Sequence, residues 1–238
     1  MMLSLMKYNI SYYIKSARYL PPVLIFAAFL SINYQTMPID IWSNLHLTSI
    51  AVYILSSCVA ASFINSEDKT QQYITRLHVK NETTYHLSKI ASIIIFLIPF
   101  YLLTVLIPTV FGYFARDILF SEILIYMAVY FLVSLLGISV GIFFNDTLFS
   151  AELAALAHIV TILVVAIPFD VIFADNPIVV YANHLLPPTN FLADRLHNLG
   201  EGAFLIDLNF LAFVAYAMGY AVILIALYNF VIQKKNKE

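Results

Sequence analysis

Six apolar runs dominate this chain, and together they leave almost no other class of fold open to it. They fall at residues 20–34, 45–64, 90–114, 118–144, 148–169 and 208–232, the first being the shortest. A helix that crosses a bilayer needs about 20 mostly apolar residues. Charged residues make up 11% of the 238, against about 25% in an ordinary soluble domain. Mean hydropathy is +0.88. So few charges cannot coat a soluble core of this size. The expected fold is an all-α polytopic membrane protein with six transmembrane helices in one domain, residues 20–232. Pro99 and Pro108 interrupt the third run. Kinks are expected there, and a helix bundle tolerates them because neighbouring helices satisfy the freed carbonyls.

Lys and Arg set the orientation, because cytoplasmic loops carry their excess. With the N-terminus inside, Lys7, Lys15, Arg18, Lys69, Arg76, Lys80, Lys89, Lys234, Lys235 and Lys237 fall on the cytoplasmic side. Only Arg116 and Arg195 fall outside. Both termini are therefore expected in the cytoplasm, with residues 233–238 as a basic tail. The turn at 145–147 carries no Lys or Arg and takes its side from parity alone. A net charge of −2 offers no basic surface for nucleic acid. No small-residue cleavage site follows a short apolar core at the N-terminus, so a cleavable signal peptide is not expected.

Residues 1–19 are a separate element. At 100° per residue Ser4, Lys7, Ser11, Lys15 and Arg18 share one sector of a helix, and most other positions are apolar. This is the pattern of a basic amphipathic helix lying in the inner headgroup layer of membrane lipid. Pro21 and Pro22 are expected to break it and turn the chain into the first span. A second long non-spanning stretch, 174–206, falls outside the cell on this topology, with a short amphipathic helix expected at 189–199.

The charged island at 65–89 is the one sizeable cytoplasmic loop. It reads as a helix capped by Asn65 or Ser66, with Glu67 and Asp68 in its first turn and Arg76 and Lys80 near its end, a distribution that suits the helix dipole. Ile74 and Leu77 give it a small apolar face beside Tyr73. The stretch Asn81-Glu82-Thr83-Thr84 reads as a turn, and Lys89 as an anchor at the inner surface.

In these residues the chain resembles the membrane subunit of ABC-2 type ATP-binding-cassette exporters. That family places a short coupling helix between spans two and three, with an acidic–basic start, a polar helix, a turn and a Gly-Lys or Ser-Lys entry to span three. Here these correspond to Glu67-Asp68-Lys69-Thr70, residues 71–77 and Ser88-Lys89. The chain departs from the pattern at His78-Val79-Lys80, where many relatives have Leu-Pro. The layout is similar along the whole chain, and its small size is similar to Gram-positive exporters of amphipathic peptides, including phenol-soluble modulins. The resemblance implies that Glu67, Asp68, Lys69, Gln71, Gln72, Ile74, Thr75, Arg76, Leu77 and His78 dock a cytosolic ATPase. It implies two ATPase copies, a second permease chain, identical or homologous, and ATP and Mg on the ATPase rather than here. The location implied is a bacterial plasma membrane, and the first and fifth spans are implied at the permease interface.

The energetics point the same way independently. No phosphate-binding Gly-x-x-x-x-Gly-Lys-[Ser/Thr] loop occurs among the six glycines. The spans carry no series of carboxylates for proton coupling. A pump built from this chain needs a separate engine, and only the 65–89 loop is large enough to receive it. The chain itself is then expected to be non-catalytic and to bind no cofactor.

Other motifs carry less. Gly137-Ile-Ser139-Val-Gly141 spells Gly-x-Ser-x-Gly, with His158 in the next span, so an intramembrane serine protease is an alternative. Ser139 lies about 8 Å from its end of the span and His158 about 15 Å, at about 1.5 Å per residue. The nucleophile elbow also requires a strand-to-helix turn. Gly137 and Gly141 read instead as a packing face. Glu152 and His158 are ionisable groups in or near a span and candidates for the substrate path. Lone Cys58 and six scattered histidines give no metal-ligand spacing. A non-transporting immunity or assembly protein is the third reading.

Overall fold

The computed structural model describes residues 2–35, 37–79, 81–146, 148–166 and 208–235. The expected outer segment 174–206, with its helix at 189–199, lies outside these residues. Eight α-helices make up the described chain: α1 (Met2–Ser16), α2 (Leu20–Asn33), α3 (Ile41–Ile64), α4 (Lys69–Val79), α5 (Glu82–Val110), α6 (Phe120–Gly141), α7 (Ala151–Ala166) and α8 (Leu208–Lys235). Four of them, α3, α5, α6 and α8, are long and apolar enough to cross a membrane. The described residues are those of an all-helical membrane protein. Helix α2 has 14 residues, about 21 Å of rise, short of a hydrocarbon core about 30 Å thick. The described part of α7 has 16 residues.

Local chemistry sets the helix ends. The break after α1 lies at Ala17, whose φ of 55° ends the helix, while Pro21 and Pro22 sit in the first turn of α2, where a missing N–H costs nothing. The proline pair thus starts the second helix rather than breaking the first. Asp40 caps α3 by accepting from the Ser43 amide at 2.8 Å. Asn81 caps α5 through the amides of Thr83 and Thr84. The stretch expected as a turn at 81–84 is therefore the first turn of a 29-residue helix that runs on through Pro99 and Pro108.

Helices α3 and α6 form the centre. A Cβ built on Gly137 would collide with the Ser56 hydroxyl and stand 2.6 Å from the Tyr53 carbonyl oxygen. One on Gly141 would collide with the Ser57 carbonyl and stand 2.9 Å from the Ala60 Cβ. The two glycines let the backbones approach closely, the contact that drives helix association where lipid removes the hydrophobic gain. Some buried hydroxyls return to their own helix, as Ser49 does to Leu45 O and Ser139 to Leu136 O, while those of Thr48 and Tyr130 meet at 2.7 Å across the α3–α6 contact. Outward faces of α5 and α8 display Leu102, Leu106 and Val110, and Val222, Ile223 and Phe230. An apolar surface of this extent belongs in lipid.

Polar contacts collect at the two ends of the bundle. At one end Tyr34 donates to Thr104 O, Ile39 bridges Phe114, and Arg116 pairs with Glu122. The other end holds α1, α4, the start of α5, the α6–α7 turn and the last turn of α8, joined by contacts such as Asn9 to Ser88 and Gln233 to Thr83. Among the described residues, Lys7, Lys15, Lys69, Arg76, Lys89, Lys234 and Lys235 all belong to this second group of elements, and Arg18, just after α1, joins it through the Asn65 carbonyl.

Candidate functional site

The charged island folds into a short helix resting on a buried ion pair. Helix α4 begins at Lys69, so Glu67 and Asp68 precede it rather than occupying its first turn. They also part company. Asp68 is exposed and its carbonyl accepts from the Gln72 amide, whereas Glu67 turns inward and is 5% exposed. Its Oε2 lies 2.8 Å from the Lys89 ammonium and accepts from the Tyr85 hydroxyl at 2.6 Å. Lys89 is 2% exposed, so it is not an anchor at the lipid surface. The sequence reading missed this pairing because the partners stand far apart along the chain.

Aromatic groups complete the knot. The Tyr85 ring takes the Arg76 guanidinium at 5.3 Å and the Lys89 ammonium at 4.8 Å from its centre. His86 meets the edges of Tyr85 and Tyr228. Burial by itself would raise the Glu67 pKa. The Lys89 charge, with hydrogen bonds from Lys89, Tyr85 and Tyr8, outweighs it and holds the carboxyl below its ordinary value. Glu67 is thus a carboxylate at neutral pH, buried against a cation.

The knot joins several elements. Gln71 of α4 donates to the Tyr8 hydroxyl of α1 at 3.0 Å, and Gln72 donates to Glu67 O at 2.9 Å. Asn65, expected as a cap for α4, instead ties α3 to the α6–α7 turn: its amide donates to Phe144 O at 2.8 Å and its Oδ1 accepts from the Asp146 amide. Arg18 donates to the carbonyl of the same residue. A hub of this kind carries no sequence signal beyond a lone Asn at a helix end.

Outward, α4 presents a different surface. Tyr73, Ile74 and Leu77 are 65%, 44% and 59% exposed. Lys69, Thr70 and His78 flank them in the open, while Gln71, Gln72, Thr75 and Arg76 are half-buried. The helix therefore has a fixed inner face and an apolar outer ridge with polar shoulders.

The remaining candidates lie apart from the knot. His158 is buried, its Nε2 2.7 Å from the Ser57 hydroxyl and its ring stacked on Phe144. Ser139 donates to Leu136 O instead, so the structure does not couple His158 to Ser139 as nucleophile and base. Glu152 is exposed at the start of α7. Among the described residues no cluster of three His, Cys, Asp or Glu could hold a metal ion. No family model, curated protein or solved structure matches the chain.

Proposed function

We propose that this chain is the membrane subunit of an ATP-driven exporter of the ABC-2 type, moving an amphipathic cargo, a peptide in preference, out of a bacterial cell. One observation carries the reading. A short helix outside the apolar spans follows directly on a buried ion pair between Glu67 and Lys89 of α5 and is tied inward through Gln71 and Gln72, yet shows an apolar ridge of Tyr73, Ile74 and Leu77 on its outer side. A helix serving only as a connection has no use for either feature. A helix that receives a partner needs the ridge to bind and the ion pair to pass motion on. The family resemblance of the 65–89 loop names that partner as a cytosolic ATP-binding-cassette ATPase, which supplies ATP and Mg²⁺.

In this account the chain has six spans, with α2 and the helix beginning at α7 as the first and fifth, and both termini in the cytoplasm. The ATPase grips Asp68, Lys69, Tyr73, Ile74, Leu77 and His78. Its movement reaches α5 through Glu67 and Lys89, α1 through Gln71 and Tyr8, and the α6–α7 turn through Asn65. Two permease chains, identical or homologous, enclose the path, each with one ATPase copy. Ile74→Asp combined with Leu77→Asp tests the docking. Both side chains are exposed, so the protein should still fold and reach the membrane while ATPase co-purification is lost. Undiminished co-purification with the double variant would refute the docking.

A further inference from the structure

Helix α1 has three faces with three different chemistries. Its inner face, Leu5, Asn9 and Tyr13, is buried against the bundle. Asn9 donates to the Ser88 hydroxyl, and Tyr13 packs its ring on Phe63 and Phe96. A second face opens a groove of about 500 Å³ floored by Leu3, Met6, Ile10, Ile14 and Ile95, the last from α5. Between the two, Lys7, Ser11 and Lys15 form a polar ridge along the groove's edge. The other side of that ridge is a smaller hollow of about 360 Å³, lined by the same Lys7, Ser11 and Lys15 with Ser4, Tyr8 and Tyr12. Lys7 and Lys15 are exposed, and neither is within ion-pairing distance of a carboxylate among the described residues.

We propose that the groove between α1 and α5 binds one anionic glycerophospholipid, its phosphate on Lys7, Ser11 and Lys15 and an acyl chain along Leu3, Ile10, Ile14 and Ile95. The arrangement matches the two ends of such a molecule. The lysines stand about 12 Å apart along the helix at about 1.5 Å per residue, so both reach one headgroup from opposite sides. Ser11 lies between them as a hydroxyl donor to phosphate oxygen. The groove beneath is apolar, and Ile98 and Leu102, further along α5 from Ile95, are exposed apolar side chains as well. A zwitterionic headgroup brings an ammonium of its own beside the two lysines along with its phosphate, an anionic headgroup brings only negative charge, and a soluble anion leaves the apolar floor bare. Because Tyr8 accepts from Gln71 of α4 and Asn9 donates to Ser88 beside Lys89, an occupied groove braces the helix that carries the knot. The inference requires that the protein lie in a membrane, and it stands whether or not α4 docks an ATPase.

The test is native mass spectrometry of the full chain, purified in detergent with equal amounts of phosphatidylglycerol and phosphatidylcholine. Wild type should retain one phosphatidylglycerol per chain under conditions that strip other lipid. Each lysine near a membrane surface is worth about fivefold in affinity for anionic lipid, so Lys7→Gln with Lys15→Gln should reduce the preference about thirtyfold. Ile95→Trp, which fills the groove and leaves the charge alone, should release the bound lipid as well. Neutralising Lys234 and Lys235 should leave the preference unchanged. Equal retention of the two lipids by wild type would overturn the proposal. So would a preference that survives loss of Lys7 and Lys15, or one lost equally with Lys234 and Lys235.

Discussion

Lys89→Met removes the cation of the buried pair and keeps most of the stem's volume. Glu67 is then left 5% exposed with the Tyr85 hydroxyl and without a counter-charge. Removing one partner of a buried pair costs about 3–5 kcal/mol. A second route bounds the same quantity. The carboxyl can escape its predicament by taking a proton, and from an ordinary value of 4.5 this costs about 3 kcal/mol at pH 7, at about 1.36 kcal/mol per pH unit. The two estimates agree, so a loss of about 3 kcal/mol is expected at pH 7. The second route also fixes the pH dependence. In the wild type the folded carboxyl lies below its unfolded value. Its contribution is therefore complete above about pH 4.5 and is lost only as pH falls through the lower folded value. In Lys89→Met the order reverses, because burial now raises the folded value. The variant's deficit should shrink to about 1 kcal/mol at pH 5, while wild-type stability from this group stays flat between pH 7 and 5. Adding Glu67→Gln should bring the pH 7 stability back to within about 1 kcal/mol of wild type, since a neutral pair leaves no buried charge. Reversible unfolding in mixed micelles by titration with a denaturing detergent measures all three proteins. A Lys89→Met deficit under 1 kcal/mol at pH 7, or one that does not change with pH, would show that Glu67 is not a buried carboxylate paired with Lys89.

Three further outcomes are expected. Gly141→Val should destabilise the α3–α6 contact by about 1–3 kcal/mol in the same assay, because its Cβ already collides with the Ser57 carbonyl. His158→Ala should cost about 1–2 kcal/mol through loss of the Ser57 bond, whereas Ser139→Ala should be near neutral because that hydroxyl serves only its own helix. Cysteines placed at Thr70 and Asp117 in a Cys58→Ser background should label from opposite sides of the membrane, with Thr70 protected from an impermeant reagent added outside intact cells.

The helices were legible because their apolar runs are long, and the ends were not because they depend on single polar side chains. The third run reads as starting at Ile90, but α5 starts at Glu82: the Asn81 cap recruits eight polar or mixed residues that hydropathy assigns to a loop. The charged island reads correctly as holding a helix, yet its acidic start divides. Asp68 stays outside and Glu67 goes in, a distinction made by the path of the chain between α3 and α4. Lys89 reads as a surface anchor because a lysine at the end of an apolar run normally extends to the headgroups. Only the packing of α3 beside α5 brings Glu67 within 2.8 Å and makes burial tolerable. The Gly137–Gly141 spacing was readable as a close-approach face, since it needs only one helix to be seen. Asn65 and Ser57 gave no such sign, for their partners lie in the α6–α7 turn and on α7.

A photoreactive benzophenone side chain at Leu77, incorporated in the native host, tests the docking of α4 most directly. The ridge residue is 59% exposed and its neighbours Tyr73 and Ile74 share its face. Irradiation should join it to an ATP-binding-cassette ATPase identifiable by mass spectrometry, and the yield should change when nucleotide is trapped on that ATPase. The same group at Tyr113, at the opposite end of the bundle, should give no such product. Crosslinks from Leu77 to lipid alone, with no ATPase recovered in any nucleotide state, would contradict the account.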